Sequence, residues 1–118
     1  ADWIFGVAGN MQSTTAANSL KSKKSVVVWV DSSVMATAPQ FGSVVPVSAL
    51  KGLKEGVLAS VKEAFDGKFT NTPYVGTLKN KGVGYVITPS WKSKIPASLQ
   101  KEITELGNDI ANGWVPAN

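Results

Sequence analysis

The first thirty-one residues constrain the fold more than any other stretch of the chain. Asp2-Trp3-Ile4-Phe5-Gly6-Val7 reads as a strand, residues 8–13 as a turn that opens a helix, and Ser25-Val26-Val27-Val28-Trp29-Val30 as a second strand ending on Asp31. Residues 25–30 are almost continuously apolar, the pattern of a strand covered on both faces in a parallel sheet. Parallel neighbours need a crossover, so residues 13–23 are expected to be helical. That helix is weak on its own terms, because Thr14 and Thr15 are β-branched and only Ala16, Ala17 and Leu20 offer an apolar stripe. The result is one β–turn–α–β unit. Gly9 follows the C-terminal end of the first strand, and a carboxylate follows the C-terminal end of the second. Open α/β sheets bind ligands along that edge.

The remaining residues extend this unit. Residues 32–40 read as a loop holding Met35 and Pro39. Ser43-Val44-Val45-Pro46-Val47 reads as a short strand, and Pro46, lacking an N–H, puts it at an edge or stops it early. Residues 48–66 give the strongest helical pattern, with Leu50, Leu53, Val57, Leu58, Val61 and Phe65 on one stripe. Ser48 is the expected N-cap and Gly67 the expected stop. Gly52 and Gly56 lower helix propensity but leave room for a close neighbour. Strands are expected at 74–78 and 82–88, joined by a tight turn in which Asn80 or Gly82 takes positive φ. Residues 89–94 form a loop carrying Trp91. A last helix over 96–112 points Leu99, Ile103, Leu106 and Ile110 inward, with Pro96 in its first turn and Gly113 at its stop. No internal repeat or low-complexity tract interrupts the chain. The fold class is α/β, a Rossmann-like parallel sheet with flanking helices, in a single unit over 1–118.

Composition narrows the chemistry. All 12 cationic side chains are Lys, for a net charge of +4. Without an Arg fork this basicity does not favour nucleic acid as a partner. The chain has no His and no Cys. It therefore lacks the commonest general base and metal ligand, and no disulfide is available. The acid pairs Glu63/Asp66 and Glu102/Glu105 sit three apart on helix surfaces, as solvated faces do. The expectation is a non-enzyme without cofactor or metal. Phe5 and Trp29, inside strands, are expected in the core. Trp91 is either a ligand contact or an anchor on a neighbouring lobe. Gly9 either lets the backbone approach a ligand or simply makes its turn. Asp31 either accepts paired hydroxyl hydrogen bonds from a sugar or opens the following turn. No apolar run reaches the roughly 18 residues of a membrane span.

Taken together, the segments resemble a known family. They are Ala1-Asp2-Trp3-Ile4-Phe5-Gly6-Val7-Ala8-Gly9-Asn10, Trp29-Val30-Asp31-Ser32, Gly42-Ser43-Val44-Val45, Asp66-Gly67-Lys68-Phe69, the run from Tyr74 through Gly82 to Tyr85, and Ile95-Pro96. Their order and spacing resemble the C-terminal part of the basic membrane protein family, purine-nucleoside-binding lipoproteins that serve ABC importers. The resemblance implies the C-terminal portion of a type I periplasmic binding protein fold. Residues 1–40 would belong to the second lobe, and 41–118 would supply crossover strands and helices. By position, Val7 and Gly9 would line the nucleoside pocket and Asp31 would hold ribose hydroxyls. The implied partners are a small solute and the importer permease. The implied location is extracytoplasmic, with a lipid anchor on a segment upstream of Ala1. The chain departs from the family at Asn10-Met11-Gln12-Ser13-Thr14, where the family has further glycines, at the uncharged Pro46, and in a shortened loop after Asp31. Pro46 and the missing glycines favour an alternative: a regulatory or protein-interaction domain that kept the scaffold and lost the ligand. A chain starting directly on a core strand is expected to be a piece of a longer protein or a mature fragment. Its bare apolar edges would then be masked by dimerisation or strand exchange.

Overall fold

Strand β2 (Val26–Val28) is built from three consecutive valines, and both of its edges are engaged. The structure is a computed structural model describing residues 1–116. Strand β1 (Trp3–Phe5) runs parallel to β2, pairing Trp3 with Val26, Ile4 with Val27 and Phe5 with Val28. On the far edge the Val27 N–H donates to Val44 O at 2.8 Å, the Trp29 N–H to Val47 O at 3.0 Å, and the Ala49 N–H to Trp29 O at 2.8 Å. These bonds bring in strand β3 (Val47–Lys51), parallel to β2 at the Trp29–Ser48 bridge. Strand β4 (Val83–Ile87) pairs with β3. The fold is α/β, as the apolar strand pattern required.

The chain divides into two compact units, described separately here. The first comprises Ala1–Leu50 and Tyr85–Gln100, the second Lys51–Gly84 and Lys101–Asn118. The chain changes unit inside β3, inside β4 and inside helix α5 (Ala97–Asn112).

The first unit holds the buried core: Ala16, Val27, Trp29, Val34, Ala38, Val44 and Val45, with Phe41 packed against them. Fully burying one such aliphatic side chain contributes about 1.5–3 kcal/mol. Trp29 is 2% exposed and sits 6.2 Å from the Phe41 ring, the core position its strand pattern called for. Helix α1 (Met11–Ser22) places Ala16 and Ser19 inward, and Lys23 closes it with a left-handed φ of 57° and its N–H on Ser19 O. Phe5 departs from expectation. It and Trp3 are each 60% exposed. The reason is that the face carrying Ile4 and Val27 meets α1, whereas Trp3 and Phe5 lie on the opposite face.

Residues 43–46 are turn and irregular backbone, not a strand, and the strand starts at Val47 instead. Pro46 has no N–H for a ladder, although its carbonyl accepts the Thr88 N–H at 2.9 Å. Ser48 is consequently a strand residue, not a helix cap. It is fully buried, and its Oγ accepts the Val34 N–H at 3.1 Å, which starts the short helix α2 (Val34–Thr37). A 3₁₀ turn at Pro39–Phe41 follows. Helix α4 (Pro89–Lys92) replaces part of the expected loop. Its Trp91 is an anchor within this unit, donating from Nε1 to Gly42 O at 3.1 Å, with Lys94 Nζ 4.2 Å from the ring centroid.

In the second unit, helix α3 (Leu53–Phe65) begins five residues later than the periodicity implied, because Leu50 belongs to β3 and only coincidentally continues the stripe. Its apolar stripe is exposed, up to 90% at Phe65. Gly56 does receive the expected neighbour, the Tyr74 ring. The expected strand over 74–78 is absent. Asn80 replaces it with side-chain bonds: Oδ1 accepts the N–H groups of Thr77 (2.7 Å) and Gly82 (3.0 Å), and Nδ2 donates to Val75 O at 2.8 Å. Such local bonds compete with a ladder for the same backbone groups. They also let Gly76 and Gly82 pass backbone against backbone, where a Cβ on Gly82 would clash with Gly76 and one on Gly76 would press on the Gly82 backbone. Positive φ falls on Lys81, at 60°, and not on Asn80 or Gly82. Helix α5 ends at Gly113 with φ of 79°, and α3 is followed by Gly67 with φ of 65°, both as expected.

Replacing Ser48 by Ala leaves the Val34 N–H buried without an acceptor. The expected cost is about 1–3 kcal/mol, read as a lower urea midpoint with an unchanged slope.

Candidate functional site

The parallel direction of β1 and β2 fixes where their following residues emerge. Val7 and Gly9 follow β1 and Asp31 follows β2, so all three leave the sheet at its C-terminal edge. All three are exposed, Val7 to 76%.

The turn after β1 winds directly into α1. The Met11 N–H donates to Ala8 O at 3.2 Å, Gln12 to Gly9 O at 3.3 Å and Ser13 to Asn10 O at 3.2 Å. Gly9 has a φ of 54°, and a Cβ there would meet nothing within 4 Å. Glycine is needed for the backbone conformation and not for lack of space. The open space above it is available to a ligand.

Asp31 occupies a strained turn. Its φ is 69°, and the Ser32 N–H reaches back over it to Val30 O at 2.9 Å. A three-residue turn with a positive central φ is the rare member of its class. A non-glycine residue in the left-handed region costs about 1–2 kcal/mol, and Asp bears it better than most. Among the described residues no protein donor is hydrogen-bonded to the Asp31 carboxylate, which leaves both oxygens for solvent or a solute.

Gln12 ties these two turns together. Its Oε1 accepts the Val30 N–H at 3.0 Å, fixing the first turn of α1 against the end of β2 one residue before Asp31. Sequence reasoning marked Gln12 only as a departure from a glycine run. The signal available was a polar side chain with hydrogen-bonding reach in the first helical turn after a strand, which is common and points to no particular partner. Below Asp31, Ser32 Oγ donates to Thr37 Oγ1 at 3.3 Å, and Thr37 Oγ1 donates to Ser33 O at 3.1 Å, so the loop is braced from within.

Two concavities lie elsewhere. One of about 560 Å³ sits at the opposite end of the first β–α–β unit, between Ile4, Ser25 and the second half of α1. One of about 390 Å³ lies in the second unit between α3 and Tyr74, with Leu53, Val57 and Val83 on its walls. Neither is lined by Val7, Gly9 or Asp31.

Comparison with known proteins gives a likeness of fold. No protein-family model matches the chain. No curated protein matches it either. Among solved structures it is similar to an ABC transporter system solute-binding protein from Aeropyrum pernix K1, with a TM-score of 0.71 at 18% identity. It is also similar to one from Conexibacter woesei DSM 14684, with a TM-score of 0.65 at 16% identity. Both matches cover all of this chain, but only 41% and 37% of the respective neighbours. The chain thus spans about two-fifths of the length of the proteins whose fold it shares.

The strain at Asp31 gives a direct test of its geometry. Asp31→Gly should be neutral or stabilising by up to ~1 kcal/mol, whereas Asp31→Val should destabilise by about 1–2 kcal/mol. Urea unfolding of the two variants beside the parent chain checks the order.

Proposed function

We propose that the chain is part of an extracytoplasmic solute-binding component of an ABC importer, and that its solute is a ribonucleoside or a closely related hydroxylated molecule. One observation carries this reading. The Gly9 turn and the unpaired Asp31 carboxylate emerge on the same C-terminal edge of two parallel strands, in a fold shared with ABC transporter solute-binding proteins. A carboxylate with both oxygens free accepts two hydroxyl hydrogen bonds side by side, as a ribose diol offers. Val7 gives the same edge an apolar contact, and the open space over Gly9 lets a ligand reach the backbone. The resemblance to the basic membrane protein family supports the nucleoside assignment.

In this reading residues 1–40 belong to one lobe and residues 41–118 contribute crossovers. Closure around solute would be driven by contacts made only in the closed state. The activity is binding, with no reaction at the rim: Asp31 is the only ionisable side chain among the three proposed residues, and neither Val7 nor Gly9 supplies a nucleophile or base. The importer permease is the proposed macromolecular partner. No helix among the described residues is long and apolar enough to cross a membrane. Membrane attachment through a lipidated segment is drawn from the family resemblance alone. The alternative, an interaction domain on the same scaffold, draws support from the bare apolar stripe of α3.

Because the chain spans only part of a two-lobed fold, its affinity alone should be weak, with no micromolar binding by calorimetry. Amide chemical shifts are the sensitive readout. Millimolar adenosine should perturb the amides of Gly9, Asn10, Asp31 and Ser32, and 2′,3′-dideoxyadenosine should leave Asp31 and Ser32 unmoved. Equal perturbation by both compounds would sink the ribose assignment. No perturbation by any nucleoside or sugar would sink the solute-binding reading of this edge.

A further inference from the structure

The even-numbered residues of β2 turn their N–H groups toward β1. The Val26 N–H donates to Asp2 O at 2.9 Å, whereas the Val27 and Trp29 N–H groups donate to Val44 O and Val47 O on the other side. Backbone groups alternate sides along a strand, so the Val30 N–H also faces β1. Strand β1 ends at Phe5, and by register the next ladder acceptor would be Gly6 O. Gln12 Oε1 accepts that N–H instead, at 3.0 Å. The Gln12 carboxamide therefore continues the β1–β2 ladder one step past the end of β1, in the crevice between the Gly9 turn and Asp31. Crevices outside the carboxyl ends of parallel strands are where open α/β sheets take ligands.

Only the oxygen of a carboxamide can accept an N–H, so this bond fixes which arm of the group faces the strand. Nε2 lies on the other arm, turned away from the Val30 N–H. It donates to no protein group among the described residues, and unlike Trp29 Nε1 it is not a buried polar atom without a partner. It is an amide donor open to solvent and held in one orientation. We propose that Gln12 is a solute-binding residue, its Nε2 donating to an oxygen of the same hydroxylated solute whose hydroxyl protons Asp31 accepts. This inference rests on the reading of the Gly9–Asp31 edge as a solute site. A carboxylate only accepts, so Asp31 alone takes any donor, a cationic amine included. The Gln12 amide adds the complementary donor. A hydroxyl oxygen satisfies it, and an ammonium group, which has no acceptor, does not. Gln12 is thereby a specificity-determining residue that favours neutral, hydroxyl-bearing solutes at this edge. Its bond to Val30 orders the side chain in advance, which lowers the entropy lost on binding.

Gln12→Glu separates the two arms of this group, because its carboxylate still accepts the Val30 N–H and has no N–H to give. In the 118-residue parent chain, millimolar adenosine should shift the Gln12 side-chain amide protons together with the Asp31 backbone amide, and 2′,3′-dideoxyadenosine should move neither. Followed at Gly9 and Asp31, the adenosine affinity of Gln12→Glu should fall about three- to tenfold, the loss of one hydrogen bond. Its Val30 amide should stay protected from exchange and its urea midpoint should match the parent's. A purely structural Gln12 would leave the affinity of that variant unchanged. If Gln12→Glu does not keep the parent's fold, the side-chain amide protons of the parent chain decide the question alone. Three results would overturn this inference and leave the Asp31 reading intact: Gln12 amide protons that stay still while Asp31 responds, equal movement of them by both nucleosides, or parental affinity in Gln12→Glu. No adenosine response at either residue would overturn both.

Discussion

The parallel pairing of β1 with β2 is the constraint from which the rest of the first unit follows. Val27 is fully buried, with β1 on one side and the segment from Val44 to Ala49 on the other. A strand bonded on both edges and covered on its α1 face has few ways to move. Its direction then determines the geometry of the candidate site. Were β1 antiparallel to β2, Gly9 and Asp31 would leave the sheet at opposite ends and share nothing. Because the pairing is parallel, the helix returning between them must begin at the same edge where β2 ends. Gln12 uses that proximity when its side chain accepts the Val30 N–H.

That hydrogen bond bears on the strained turn beside it. Unfavourable backbone conformations persist only where neighbouring structure holds them. Val30 is held on both sides, its N–H on Gln12 Oε1 and its carbonyl accepting the Ser32 N–H. Asp31 lies between those two fixed points, and its left-handed φ results. The strain has a geometric consequence. The carboxylate is lifted out of the sheet's hydrogen bonding, so it is exposed and unpaired at an edge where its neighbours are committed to the fold. The glycines that the resemblance leads one to expect after Gly9 are absent, and Gln12 takes on structural work in their place.

What was legible in the sequence follows from how local each signal is. The β–α–β order, the parallel direction and the core position of Trp29 were readable because five consecutive apolar residues, Val26 to Val30, have few alternatives to a buried strand. The start of α3 was misplaced because Leu50 and Leu53 are three apart, a spacing that a helix and a strand-then-helix both satisfy. Ser48 looked like a cap for the same reason that it works buried in β3: a small hydroxyl accepts a backbone N–H in either setting, and here the N–H is Val34's. The expected strand at 74–78 failed because Asn80 satisfies three backbone groups through its side chain, which alternation of apolar residues does not reveal. Gly9 and Asp31 were placed on one edge by topology alone, and Val7 joined them through the family resemblance. The Gln12 bond that stiffens that edge joins residues 18 apart and had no local signature.

The misjudged burial of Phe5 has a different origin, and it connects the two units. Alternation assigned β1 two apolar faces, and the sequence does have them. Only the Ile4 face is covered by α1. In the second unit α3 likewise presents an apolar stripe, and neither α3 nor α5 has a fully buried side chain. A helix with an apolar stripe and a parallel strand with two apolar faces each require a covering layer. The pattern of bare surface is therefore specific and not a general shortage of core. It is marked on β1 and α3, extends to β4 and α5, and spares β2, whose two edges are both closed from within the chain. Alternation and helical spacing mark a face as apolar, but they do not say whether another element of the chain covers it.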